Sequence, residues 1–376
     1  MKTMSDIPGD VVEEILSRLP LISLRAVRST CKMWNALSKK RILGGESAKK
    51  QFLGFMMMDY KVCSMKFDLQ GIRNDDEEVF VDPCIKQVSL LEKVEISKAF
   101  HCDGLLLCVI KDSLSLVLWN PYLGQIRWIQ PRNSFHRLDR YALGYDENRN
   151  HKILRVFGDY ESSRSQVSGY EVYDLSSDSW KTFDFDVSPD WDIQSHQRGV
   201  SLKGNVYFLA LEKTRSGREF EAFLLCFDFT AERFGPRLPM PFQFFSAENF
   251  VSLSCVREEQ VAVLYQNWED LEIQVNNLAG SFFIDEEENV AVVFDLDRHK
   301  HNEEACRYQT AYILGQDGYF KSVNIAVAPN LRTSDKFGCR SAVYCRPLVC
   351  SSSYVPNLVQ LHIDNKLGKR KEEGHD

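Results

Sequence analysis

The sequence has little of what several broad function classes require. Positive charge is in deficit: 46 Lys and Arg against 53 Asp and Glu give a formal net charge of −7. The cationic footprint that neutralises a phosphate backbone is missing, so nucleic acid is not an expected partner. No apolar run nears the ~20 residues that cross a bilayer, and the stretch Leu105 to Ile110 is only of strand length, so no membrane partner is expected. Met1 to Asp6 runs into charged sequence without the apolar core of a secretory leader. The chain is therefore expected in the cytoplasm, the nucleus or both. Its eleven cysteines are odd in number and none forms Cys-x-x-Cys, which suits reduced thiols acting as small core residues. Gly-x-Gly-x-x-Gly, Walker A, His-Glu-x-x-His and Gly-x-Ser-x-Gly motifs are also missing, which removes the usual sequence signatures of nucleotide, zinc-protease and serine-hydrolase sites.

What is present describes a globular chain of two unequal parts. At 376 residues it exceeds the usual ~100–200 of one domain, and 44% hydrophobic residues suffice for a sizeable core. The first forty residues follow a helical period. Val12, Ile15, Leu16 and Leu19 share one face, with Glu13, Glu14, Ser17 and Arg18 on the other. Pro8 suits the start of this helix, Asp10, Glu13 and Glu14 lie near its positive end, Arg18 lies near its negative end, and Pro20 stops it. Ser23 can cap a second, basic helical stretch carrying Leu24, Val27, Trp34 and Leu37. So small a unit buries little apolar surface alone and would gain from a partner.

The run Ile7-Pro8-Gly9-Asp10-Val11-Val12-Glu13-Glu14-Ile15-Leu16-Ser17-Arg18-Leu19-Pro20, followed by Leu24, Arg28, Cys31-Lys32 and Trp34, closely resembles the F-box motif. Thr30, where that family usually carries Val, is a mild departure. The resemblance implies a three-helix F-box over 1–45 that docks on a Skp-family adaptor, and through it on the cullin and RING subunits of a ubiquitin ligase. The matching positions for the adaptor interface are Ile7, Pro8, Ile15, Leu16, Leu19, Pro20 and Leu24; Trp34 serves either that interface or the helical core.

Beyond residue 50 the pattern changes to short runs rich in β-branched and aromatic residues, the signature of an all-β architecture. Met56-Met57-Met58 reads as strand filling. Several runs end in Asn or Asp before a tight turn: Asn120, Asp174, Asp228 and Asn276, at intervals of 54, 54 and 48 residues. A period near ~50 is the kelch-like propeller value and allows about six blades. Connections should alternate between short turns (147–150, 203–204, 257–259, 176–179, 230–233) and long loops (158–168, 213–221, 184–198, 239–249), leaving one tightly turned end and one end of variable loops. The expected layout is α plus all-β: 1–45 helical, 46–94 a connecting segment with the first strands, 95–365 the propeller, and 366–376 a charged tail.

This second part resembles the plant F-box-associated domain of type one. The likeness rests on Cys102 to Leu107, Trp119-Asn120-Pro121, Arg127-Trp128-Ile129, Ala142 to Asp146, Glu171-Val172-Tyr173, Ser179-Trp180, Gly199 to Tyr207, Leu271-Glu272-Ile273 and Ser353-Tyr354-Val355-Pro356-Asn357-Leu358-Val359. Gln274 in place of Trp, and Asn357 in place of Ser, depart from it. The resemblance implies a substrate-receptor subunit in which the β domain holds the protein to be ubiquitinated while chemistry occurs on other subunits. No catalytic residue, metal or cofactor is then expected. An F-box scaffold that assembles no ligase, and a propeller enzyme, are the alternatives.

Substrate recognition is expected on the long loops, where aromatic and Arg side chains concentrate: Tyr160, Arg164, Trp191, Arg215, Arg218, Phe242, Phe244 and Phe245. Three metal readings lose to plainer ones. His299-Lys300-His301 with Cys306 lies in a charge-rich loop; Cys339, Cys345 and Cys350 lack zinc spacing; Asp184, Asp186, Asp190 and Asp192 form no Asp-x-Asp-x-Asp-Gly loop. Lys366, Lys369, Arg370 and Lys371 read as a solvated tail, and Gly315 to Gly318 as a hairpin turn.

Overall fold

The computed structural model describes residues 7–9, 11, 12, 15, 32–34, 36, 51–58, 60–69, 84–88, 94–111, 115–130, 132, 135, 136, 138–159, 166–185, 189–193, 198–212, 222–241, 250–266, 281–286, 288–296, 308–327 and 354–361. Among these the chain is mostly β-sheet, with helical backbone at residues 9, 11, 12, 15, 32–34 and 36. Among them, too, no helix is long and apolar enough to cross a membrane.

The strands form six antiparallel sheets that follow one another along the chain. Sheet 1 holds β1 (Gln51–Met58), β2 (Lys61–Asp68) and β3 (Cys84–Gln87). Sheet 2 holds β4 (Ile96–Cys102), β5 (Leu105–Ile110), β6 (Leu116–Asn120) and β7 (Gln125–Ile129). Sheet 3 holds β8 (Arg140–Tyr145), β9 (His151–Asp159), β10 (Gln166–Asp174) and β11 (Ser179–Asp184). Sheet 4 holds β12 (Trp191–Ile193), β13 (Val200–Leu202), β14 (Asn205–Glu212), β15 (Ala222–Asp228) and β16 (Arg233–Pro239). Sheet 5 holds β17 (Phe250–Val256) and β18 (Gln260–Gln266), and sheet 6 holds β19 (Ser281–Asp285), β20 (Val290–Leu296), β21 (Tyr308–Gly315) and β22 (Phe320–Val327).

Each sheet packs on the next through apolar side chains of its inner strands. In β5, Leu106, Cys108 and Ile110 meet Phe55, Met57 and Val62 of sheet 1, while Leu105, Leu107 and Val109 meet Tyr141, Leu143 and Ile153 of sheet 3. The uninterrupted apolar run therefore reflects a strand covered on both sides. Sheet 3 packs on sheet 4 through Leu154, Val172, Phe208 and Phe227. Sheet 4 packs on sheet 5 through Val200, Leu202 and Cys255. Ser254 Oγ donates to the Phe282 carbonyl at 2.8 Å between sheets 5 and 6. Sheet 6 then packs on sheet 1, with Phe283, Phe294 and Ile313 against Met56, Met65 and Phe67. The contacts close in cyclic order, which makes the arrangement propeller-like. Met56 and Met57 are fully buried strand residues, and Cys63, Cys102, Cys108 and Cys255 are buried free thiols.

The repeat seen in the sequence is one turn used three times. Asn120 Oδ1 accepts from the backbone N–H of Tyr122 and Leu123, Asp174 Oδ1 from Ser176 and Ser177, and Asp228 Oδ1 from Thr230 and Ala231, at 2.7–3.2 Å. Four residues after each Asx the backbone turns left-handed, at Gly124 (φ 63°), Asp178 (φ 53°) and Glu232 (φ 50°). Asn276 and Leu271-Glu272-Ile273 lie outside the described residues.

Two expected loops are partly strand. Asp184 to Arg198 contains β12, whose Trp191, Asp192 and Ile193 pair with Glu212, Leu211 and Ala210 of β14. Its polar flanks resemble a loop, and only the partner strand makes it β. In 158–168, β9 and β10 continue pairing through Gln166↔Asp159 and Val167↔Gly158 across a bulge before Gly169. A bulge accommodates the Gly and Ser residues that read as loop.

Candidate interaction surfaces

The amino-terminal helix begins as its residues dictate. The Val12 N–H donates to the Pro8 carbonyl at 3.1 Å, the first helical bond, and Pro8, which has no N–H to lose, stands at the start. Val12 is fully buried while Val11 and Ile15 are 45% and 37% exposed, Pro8 is exposed and Ile7 is half-buried. One apolar side chain thus anchors the helix inward and a Pro–Val–Ile set stays open, a surface suited to an apolar partner. Trp34 is buried. Leu16, Leu19, Pro20 and Leu24 lie outside the described residues.

Of the residues expected on the long-loop end, Tyr160, Arg164, Arg215, Arg218, Phe242, Phe244 and Phe245 lie outside the described residues. Trp191 is described, and it corrects the expectation: it is only 8% exposed, with its ring 5.1 Å from Phe234 and 6.0 Å from Phe185. Pairing of β12 with β14 turns the indole into the core between sheets 3 and 4, where it cannot anchor a partner. The neighbouring acids are engaged by cations: Asp190 pairs with Arg237 and Asp192 with Arg140.

Sequence reasoning missed a buried ionic network at this end. Arg155 Nε donates to Asp139 Oδ2 at 2.8 Å and its Nη1 to Glu171 Oε2 at 2.9 Å, and all three side chains are buried. Asp139 also accepts from the His136 N–H. Arg140 Nη2 meets Asp192 Oδ1 at 2.8 Å, and Lys98 Nζ donates to the Asp139 carbonyl at 2.9 Å. Burial pushes the Lys98 amine down to about 8, with Asp139 opposing the shift and Arg140 and Arg198 adding to it. Two of these pairs join residues 41 and 52 positions apart, so no local motif announces them.

At the tightly turned end, Lys152 bridges sheets: its Nζ lies 2.9 Å from Glu232 Oε1 and 3.4 Å from Asp146 Oδ2, which raises its pKa against the opposing effect of burial. The segment 354–361 crosses from sheet 1 to sheet 2. The Tyr354 N–H donates to the Leu53 carbonyl, its hydroxyl to the Gly104 carbonyl at 3.1 Å, and Asn120 Nδ2 to the carbonyls of Asn357 and Val359. Asn357, the departure from Ser, donates to the Asp103 carbonyl and carboxylate. Gly104 (φ +72°) has no room for a side chain, since a Cβ would lie 2.4 Å from the Val355 carbonyl oxygen.

Comparison with known proteins assigns both parts. The F-box domain family matches residues 4–44, and the F-box associated beta propeller domain family matches 53–277 and 270–361. An Arabidopsis thaliana F-box/kelch-repeat protein is 60% identical over 99% of this chain and 100% of its own length. An F-box protein of the same plant is 51% identical over 96% of this chain and 100% of its own, and a second F-box/kelch-repeat protein is 47% identical over 96% and 92%.

Proposed function

The chain belongs to the F-box proteins that carry an F-box associated β-propeller domain, and from that membership we propose that it is the substrate-receptor subunit of a Skp–cullin–F-box ubiquitin ligase. The helical unit, residues 1–45, binds the adaptor. The β domain, six blades from the strands of the 46–94 segment through about residue 365, holds the target protein. Ubiquitin transfer then depends on positioning, which lowers the entropic part of the barrier without a catalytic group on this chain. The protein acts in the cytoplasm, the nucleus or both.

The observation that carries this reading is the open Pro8–Val11–Ile15 surface backed by buried Val12, inside the segment that matches the F-box family. Ile7, Pro8, Ile15, Leu16, Leu19, Pro20 and Leu24 form the adaptor face, and Trp34 is the core residue beneath it. Tyr160, Arg164, Arg215, Arg218, Phe242, Phe244 and Phe245 remain the proposed target-facing set, without Trp191.

The test is affinity capture of wild type and Ile15→Asp/Leu16→Asp under proteasome inhibition, with immunoblots for adaptor and cullin. An unpaired carboxylate in an apolar interface costs roughly 3 kcal/mol, so the variant should bind adaptor about a hundredfold more weakly. Adaptor retained by the variant, or neither subunit captured by wild type, would overturn the reading.

A further inference from the structure

Nine large apolar side chains are exposed among the described residues, and three of them, Ile284, Leu314 and Phe320, fall on one line across sheet 6. The strand register fixes that line. Ile284 of β19 pairs with Ala291 of β20, Ala291 with Leu314 of β21, and Leu314 with Phe320 of β22. Directly paired residues carry their side chains on the same face of a sheet, so the four form one apolar row from one edge strand to the other. Ile284 is 37% exposed, Leu314 39% and Phe320 48%, and Ala291 is half-buried. In the neighbouring row Phe283, Val292 and Ile313 are buried in the core shared with sheet 1, so the exposed row is on the face turned away from that core. Tyr312 stacks on Phe320 with ring centroids 6.1 Å apart and widens the row. Exposed apolar side chains are ordinarily scattered singly, whereas a contiguous set marks a contact surface.

The row and its border select the kind of partner. Three strand spacings of ~4.8 Å make it about 14 Å long. An amphipathic helix presents apolar side chains from i to i+7 or i+11 over ~10–16 Å, so one stripe of such a helix matches the row. The two turns that border the row are acidic: residues 285–290 include Asp285, Glu286, Glu287 and Glu288, residues 315–319 include Asp317, and neither turn holds a Lys or Arg. Glu286 is met by Arg257 from the adjoining turn of sheet 5. Lys321, next to Phe320, is in register with Ile313 and so belongs to the opposite face. In a two-fold contact with a second copy, acid would meet acid, and the anionic surface of a bilayer would be repelled. Lys and Arg flanking an apolar stripe complement the border.

We propose that the apolar row of sheet 6, with its acidic border, is a docking surface for a basic amphipathic helix of a partner protein. It lies beside the short turns 257–259 and 285–290, away from the long loops assigned to the target. It is therefore a second contact surface, and it does not rest on the receptor reading.

The test titrates the full-length protein into a fluorescein-labelled peptide of about 14 residues, with Leu at helical spacing and Lys elsewhere, and follows anisotropy. A Leu/Glu peptide of the same pattern is the control, and a photo-reactive group on the Leu face reports by mass spectrometry where the peptide sits. The Leu/Lys peptide should bind and crosslink to β19–β22, and the Leu/Glu peptide should bind at least about tenfold more weakly. Leu314→Ser/Phe320→Ser should weaken Leu/Lys binding about tenfold while the unfolding midpoint stays put. No binding, crosslinks that fall elsewhere in wild type, a result that needs no variant, or an affinity unchanged in the double variant would overturn the proposal. So would a wild-type dimer in sedimentation that Phe320→Ser dissolves, which assigns the face to a second copy. Zero-length crosslinks from Lys39 or Lys40 to Glu286 within the monomer would likewise overturn it, by assigning the face to this chain's own amino-terminal unit. None of these readings involves the adaptor, so this test and the capture experiment fail separately.

Discussion

Asn120, Asp174 and Asp228 occupy one position in three successive sheets, and a side-chain oxygen does the same thing in each: it satisfies two backbone N–H groups of the turn between the last two strands. Because Asn performs this in sheet 2, charge is not required. Asp228→Asn should therefore leave stability within about 0.5 kcal/mol of wild type, whereas Asp228→Ala should cost about 1 kcal/mol by denaturant unfolding. Equal losses for the two would defeat the turn account. His101 has the opposite character, since its chemistry depends on being neutral. Its Nε2 accepts from the Gly104 N–H at 3.2 Å, and burial pushes its pKa down to about 4, with Asp103 opposing. A base depressed on folding contributes stability above its unfolded pKa, near ~6.5, that is lost as pH falls toward 4. Acidification from pH 7 to 4.5 should cost wild type up to about 3 kcal/mol from this group, and His101→Gln should show a correspondingly shallower loss. Identical acid sensitivity of the two proteins would refute the assignment.

At the scale of elements, the strands that were legible are those whose residues alternate or run apolar between Gly, Asn and Asp turns. β5 is the clear case, an apolar run explained by cores on both faces. β12 was not legible: three residues after Pro189-Asp190 become a strand only because β14 offers an edge to pair with. That pairing also moved Trp191 from an expected contact residue to the core. The terminal segment 354–361 was readable as a signature but not as a strap. Tyr354 is buried, with its ring 5.1 Å from Phe55, and it ties β1 to the first turn of sheet 2. Tyr354→Phe, which loses one hydrogen bond, should cost about 1 kcal/mol, and Tyr354→Ala, which leaves a cavity between sheets 1 and 2, about 3–5 kcal/mol. The check is thermal or denaturant unfolding, and a small loss on Tyr354→Ala would mean that the strap does not join the sheets.

For the whole molecule, closure is a matter of packing. Shared cores or contacts run from each sheet to the next, and sheet 6 returns to sheet 1 through Phe283, Phe294, Met65 and Phe67. Stability of the β domain is thus distributed around a ring, while adaptor recognition is assigned to a separate short helical unit. The Ile15→Asp/Leu16→Asp variant belongs to this scale. It should lose the adaptor while the unfolding midpoint of the β domain stays put, and a shared shift of both would show that the two parts are one cooperative body.

The sequence by itself determined the family, through the spacing of Ile7-Pro8, Ile15-Leu16 and Leu19-Pro20, and the β architecture, through a turn repeated every 54 residues. These signals are local: a helical face and an Asx turn are set by residues a few positions apart. Only the tertiary structure decided which apolar side chains on the first helix remain open, that Trp191 is core, and that Arg140 meets Asp192. The last two depend on pairings between residues 21 and 52 positions apart, and no pattern along the chain encodes which of them will meet.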